Sequence, residues 1–148
     1  MMRVNLKKAW PAFAAIGALC LAVAPADAAG AQPYFACKTV SGKLVSFARA
    51  GKVLKYSYGK PGLAPELSFA VPMAAVKFAG SGPADAGTWW VSREVSVVFN
   101  GTRYTGHWAY HRADGTEEAG VTVSRGERTL AETACKSDIQ IDIPEIDE

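Results

Sequence analysis

The chain has 148 residues, 20% of them charged, and a formal net charge of +2. Such a balance gives no electrostatic footprint for nucleic acid, which draws on a clustered basic surface. The length fits one domain with a single core. The slight positive excess also belongs to the wrong part of the chain. Residues 1–28 have the form of a secretory signal: Arg3, Lys7 and Lys8, then the apolar run AFAAIGALCLAVA, then the small-residue site Ala26-Asp27-Ala28. The apolar run falls short of the roughly 20 residues that a membrane span needs, so cleavage after Ala28 and no span in the mature chain are expected. The mature chain then carries 13 bases and 13 acids. Five of those acids and no base lie in residues 138–148, read here as an acidic C-terminal tail; residues 29–137, the β domain, keep +5. A tail of this kind folds back on a basic face, steers a partner, or is simply solvated.

Cys20 leaves with the leader, and the remaining pair in an exported chain, Cys37 and Cys135, is expected to form one disulfide near the two ends of the domain. Between them, short runs rich in Val, Thr, Phe, Tyr and Trp alternate with glycine turns, the pattern of an all-β protein. Strands are expected over 34–40, 43–50 and 52–58, joined by tight turns at Ser41-Gly42 and Ala50-Gly51 and therefore antiparallel. The stretch 59–65 (GKPGLAP) is a loop, because its prolines remove backbone donors. A further run covers 66–71. Residues 72–78 are ambiguous between a strand and a helical turn, and 80–87 (GSGPADAG) is the clearest loop. Residues 88–99 form a long strand that turns at Asn100-Gly101, since both central residues of a type I′ turn need positive φ. The strand 102–111 returns, and 118–124 and 128–135 make a last hairpin. The expectation is a single antiparallel sandwich or flattened barrel of about eight strands with one disulfide.

The chain's two histidines, His107 and His111, fall in NGTRYTGHWAYHRADG. On a helix this spacing would suit one metal ion. On a strand they are roughly 13 Å apart at about 3.3 Å per residue, too far for one ion with bonds near about 2 Å. They should lie on the solvent side with Arg103, Thr105 and Ala109, while Tyr104, Gly106, Trp108 and Tyr110 face the core. No nucleophile elbow, phosphate-binding glycine loop or C-x-x-C pair occurs. The acids Glu66, Asp85, Glu94, Glu117 and Glu118 show no spacing that selects a catalytic pair. No catalytic residue, metal or cofactor is therefore expected; a small periplasmic enzyme with a dispersed site is the remaining catalytic alternative. Trp89-Trp90 is different. Neighbours on a strand point to opposite faces, so either one ring is exposed, near Arg93, in the composition of a binding hot spot, or both faces are covered, as in a sandwich or barrel.

Two resemblances follow from these residues. Cys37, Gly42-Lys43, Tyr56-x-Tyr58-Gly59, Pro65-Glu66-Leu67, Asn100-Gly101 with Tyr104, Gly120-Val121-x-Val123 and Cys135 together resemble small exported bacterial β-domain proteins of unassigned function. The segment Asn100-Gly101-Thr102-Arg103-Tyr104 resembles the Ser-Gly-x-x-Tyr loop of periplasmic lysozyme inhibitors, with Asn in place of Ser. The latter resemblance implies a cation such as Arg103 placed between the two carboxylates of a lysozyme-type hydrolase. The reading is thus a periplasmic or secreted, non-catalytic binding protein of the cell envelope. Its partner is expected to be an envelope or extracellular protein, a lysozyme-type hydrolase being the named alternative. Its binding residues are expected among Lys60, Trp89, Trp90, Arg93, Asn100, Arg103 and Tyr104.

Overall fold

The computed structural model describes residues 31–82 and 89–146. The leader and most of the 80–87 loop lie outside the described residues. Nine strands follow one another: β1 (Gln32–Thr39), β2 (Leu44–Ala50), β3 (Val53–Gly59), β4 (Leu67–Pro72), β5 (Lys77–Ser81), β6 (Trp90–Phe99), β7 (Thr102–His111), β8 (Glu117–Arg125) and β9 (Arg128–Ile141). They form one antiparallel sheet in the order β4-β3-β2-β1-β9-β8-β7-β6-β5. The sheet curls into a half-barrel whose concave face is the core. The ambiguous stretch 72–78 resolves into both of its readings. A single 3₁₀ turn, Met73–Ala75, ends β4, and the chain resumes as β5. Because every neighbouring pair is antiparallel, β4 and β5 run in the same direction at the two edges of the sheet.

The last strand is the hinge of this topology. β9 pairs with β8 from Arg125↔Arg128 to Gly120↔Ala134. It then leaves β8 and pairs with β1 from Thr39↔Cys135 to Phe35↔Ile141. Two register shifts in the β1–β9 ladder, and a positive φ of 54° at Asp138, mark the bend. Bulges of this kind increase the local twist and re-aim the strand. The disulfide sits at the crossing: Cys37 on β1 is bonded to Cys135 on β9, with Cα atoms 5.8 Å apart. The boundary drawn at residue 138 therefore has no structural counterpart. Residues 138–141 are strand, and Ile143 beyond them is only 7% exposed. A solvated tail is ruled out there by period-two burial of Ile139, Ile141 and Ile143 against the core.

Edge-to-face and stacked rings fill the concavity. Phe35, Phe47, Tyr56 and Phe69 come from four adjacent strands, with successive centroids 6.0, 5.0 and 5.0 Å apart. Across the cavity Phe69 stacks on Phe99 at 4.3 Å, and Tyr104 meets Tyr56 and Phe69 at 4.9 and 5.0 Å. Desolvation pushes the Tyr56 hydroxyl well above the ordinary tyrosine value, with the neighbouring Tyr104 adding to the effect. The two halves also meet closely at Gly106 of β7. A Cβ there would lie 2.9 Å from the Phe35 ring and 3.0 Å from Phe47.

Two stability predictions follow. Gly106→Ala should cost about 1–3 kcal/mol, because two rings that are themselves fully buried must move; urea unfolding checks it. Replacing both cysteines by serine should cost between about 2 and about 4.7 kcal/mol, the upper figure being the chain-entropy value for a loop of about 100 residues. The same loss is expected when the wild type is unfolded under reducing conditions.

Candidate functional site

β7 changes its role along its length. Tyr104 meets core rings and Gly106 is the contact point; Trp108 and Tyr110, next on the same face, are half-buried like Tyr104 but border a groove. The reason is the departure of β9 from β8. Once β9 crosses to β1, the end of the half-barrel that holds Trp108 and Tyr110 is left open, and a groove of about 560 Å³ remains. One wall is β9 and the segment after it, through Ile139, Ile141 and Ile143. The other is β6, β7 and β8, through Val91, Arg93, Trp108, Tyr110 and Glu117.

The registers place these side chains. Arg93 of β6 is opposite Trp108, and Val91 is opposite Tyr110. On the other flank Ala119 is opposite Trp108, and Glu117 is opposite Tyr110. The small Ala119 leaves the indole uncrowded. Trp108 and Tyr110 hold parallel rings, 5° between planes and 6.3 Å between centroids. The Trp108 indole N–H donates to Glu117 Oε1 at 2.6 Å, which fixes the rotamer of the indole. Arg93 donates through Nη1 to the Ser92 carbonyl at 2.8 Å and through Nη2 to Glu145 Oε1 at 3.2 Å. The arginine side chain is 11% exposed and the glutamate 74%. Arg112 also borders the groove, and its backbone N–H donates to the Trp89 carbonyl at 2.8 Å.

The tryptophans stand at this same end. Trp89 is 70% exposed and Trp90 37%. Trp90 meets His111 edge-on at 4.5 Å. Trp89 is thus largely uncovered, whereas Trp90 is more than half covered and rests on His111. A second space, about 790 Å³, fills the notch where β9 leaves β8. It is bordered by Glu118, Glu132 and Lys136, and it meets the first groove at Glu117 and Ile139.

The residues chosen from sequence do not form one surface. Trp89, Trp90 and Arg93 lie at the open end. Asn100 and Gly101, with φ of 51° and 75°, make the expected tight turn at the other end of β6. That strand alone separates the two ends by roughly 30 Å. Lys60, in the β3–β4 loop, also belongs to the far end, and Arg103 is exposed beside the turn. Tyr104 is not a surface residue: its ring is wedged between Tyr56 and Phe69. Hence the tyrosine of the Asn-Gly-x-x-Tyr segment does not project with its turn. The histidines lie on the convex face of β7, but half-buried rather than free in solvent. His107 covers Gly120, and His111 is under Trp90. Ala109 between them is buried.

Sequence reasoning passed over Trp108, Tyr110, Glu117 and Glu145. Alternation places Trp108 and Tyr110 on the core face, which Trp108 does contact, but it does not show that they border a groove, and nothing local marks Glu117 or Glu145. The signal that could have found the groove wall is the alternation of Ile139, Ile141 and Ile143, a strand period inside an acidic run.

Among the described residues no group of three or more His, Cys, Asp and Glu side chains could hold a metal ion. No helix among them is long and apolar enough to cross a membrane. Comparison of the chain with protein-family models, with curated proteins and with solved structures finds no match.

The anchoring of the groove wall is testable. Ile143→Ala should cost about 2–5 kcal/mol, as for a buried aliphatic truncation. Glu145→Gln should cost less than about 1 kcal/mol, because its ion pair is largely solvated. Chemical unfolding of the two variants checks the contrast.

Proposed function

We propose that this is an exported, non-catalytic binding protein of the cell envelope or exterior, and that it binds through the open end of the half-barrel. Support for export comes from the signal-like residues 1–28 and from a disulfide that joins the first and last strands, a bond that persists in oxidising compartments. The observation that carries the binding role is the aromatic gradient. Trp89 and Trp90 are exposed at this end of β6, Trp90 on the convex face against His111, and half-buried Trp108 and Tyr110 line the groove on the concave face. Large rings with uncovered faces lose little entropy on binding and dominate recognition energetics. The floor belongs to strands paired on both sides, so the rings are held ready rather than assembled on contact.

The test is retention of ligand from envelope extract and culture medium by the immobilised mature protein. Trp89→Ala/Trp90→Ala should weaken retention at least about tenfold, as for hot-spot residues. Lys60→Ala/Asn100→Ala, at the far end, should leave it unchanged. Loss caused by the far-end pair and not by the tryptophans would move the site to the turns. In the producing cell the mature N terminus should be Ala29, read by peptide sequencing.

A further inference from the structure

The place where β9 leaves β8 has a side that the fold does not use, and what it takes deepens the binding role just proposed and rests on it. We infer that the notch between β8 and β9 takes an extended peptide of a partner protein, one that adds as a strand to β8 at residues 117–119 and alternates apolar with basic side chains.

The backbone carries the first part. β8 pairs with β7 as far as Tyr110↔Glu117, but its last pair with β9 is Gly120↔Ala134. Residues 117–119 therefore have a strand on one side only. The alternation of an antiparallel ladder says which groups are left over. His111 N–H donates to the Thr116 carbonyl. The pairs that exchange bonds with β7 then fall at Glu118 and Gly120, and Glu117 and Ala119 direct their backbone groups away from β7, toward the notch. Such an edge is what strand addition requires. The notch leaves about 790 Å³ for the added chain. That chain runs antiparallel to β8, along the line that β9 gives up when it bends at Asp138 and joins β1. The outer edges of β4 and β5 are also unpaired, but no residue of either strand borders this notch or the groove beside it.

The side chains choose the peptide. Those of an added strand alternate between the two faces of the sheet. On the concave face they meet Ala119, which has Trp108 opposite it on β7, and Ile139. These surroundings suit an apolar side chain. On the convex face they meet Glu118, opposite Ala109, and Glu132, opposite Thr122. Among the described residues neither carboxylate has an ion-pair or hydrogen-bond partner. Lys136 and His107 also border the notch, against Glu117, Glu118 and Glu132, so the balance is acidic. Glu117 is already engaged by the Trp108 indole N–H on the concave side. A lysine or arginine placed across from Glu118 makes the favourable cross-strand pair that an acidic residue there would forbid.

Calorimetry and amide hydrogen exchange on the full mature chain test the inference. The probes are capped hexapeptides: alternating Val-Lys, alternating Val-Glu, and an isomer of the first with valines and lysines in separate blocks. Alternating Val-Lys should bind at least about tenfold more tightly than either of the others, the scale of a pair of hydrogen bonds with a favourable cross-strand pair. Once bound, it should slow exchange of the Glu117 and Ala119 amides at least about tenfold and leave the Glu118 amide, already bonded to β7, unmoved. Glu118→Lys, an exposed change, should erase the preference for Val-Lys over Val-Glu. Equal affinity for the two alternating peptides, equal affinity for the block isomer, no binding of any of them at millimolar concentration, or binding without protection at residues 117 and 119 would each overturn the inference. Should no peptide bind while the paired tryptophan variant still loses the ligand from extract, strand addition falls and the open end as binding surface stands. If no peptide binds and that variant also retains the ligand, both fall.

Discussion

The fold depends on how closely two aromatic rings approach a bare stretch of backbone. Phe35 and Phe47, each fully buried, lie against Gly106 where any side chain would meet them at about 3 Å. That contact fixes the distance between the two halves of the curled sheet. Each ring contributes on the order of 1.5–3 kcal/mol by burial alone, and the ladder that continues through Tyr56 and Phe69 to Phe99 and Tyr104 closes the core on the turn side. On the other side of Gly106 the ring contacts within the concavity among the described residues are the separate pairs Tyr34–Phe78 and Trp108–Tyr110. The same face of β7 carries Trp108 and Tyr110, which border the groove with Ile139, Ile141 and Ile143. Core and groove are thus successive positions on one strand face, divided by one glycine.

What leaves the second half of that face open is the division of β9 between two partners. A strand paired to β8 for its whole length would have continued the sheet past Glu117 and put no isoleucine opposite Trp108. Instead β9 gives its first half to β8 and its second to β1. The bulges at the switch bend it, and the disulfide between Cys37 and Cys135 holds β1 and β9 together where the ladder is most irregular. The bond therefore stabilises by more than shortening the unfolded chain. It also keeps the β9 wall of the groove at a set distance from the β7 floor, because Ile139, Ile141 and Ile143 follow directly from Cys135. Both walls are strands of one hydrogen-bonded sheet.

Much of this was legible in the sequence, and the failures share a cause. Strand pairing within each meander is local, so alternation and turn residues such as Asn100-Gly101 located it. The disulfide followed from cysteine count and export. The β1–β2 connection came out longer than expected. Residues 40–43 form the loop, because the buried Thr39 hydroxyl accepts from Lys43 N–H and pairs with Ser41 Oγ. Partnership between distant segments left no local mark. Nothing in residues 102–111 alone says that Tyr104 meets core rings while Trp108 borders a groove, because the neighbours of both come from strands far away in sequence. The two ends of β6 were likewise merged into one imagined surface: a strand pattern gives the face on which a residue lies but not what stands beside it. At the C terminus, charge hid period. Asp and Glu between Ile139, Ile141 and Ile143 read as a solvated run, although a strand with one buried face needs that alternation of polar and apolar.

The uneven charge of the chain acquires a place in this arrangement. Thirteen bases and eight acids in residues 29–137 leave a surplus that the five acids of residues 138–148 cancel. The fold does not spread that cancellation evenly over the surface. Isoleucine burial carries the acidic segment across the open end, and there Glu145 meets Arg93. The apolar side of the segment sets its position, with Ile143 7% exposed. The charged side is left facing water, so the segment is fixed through its isoleucines while its carboxylate, 74% exposed, pairs with a guanidinium that is nearly covered.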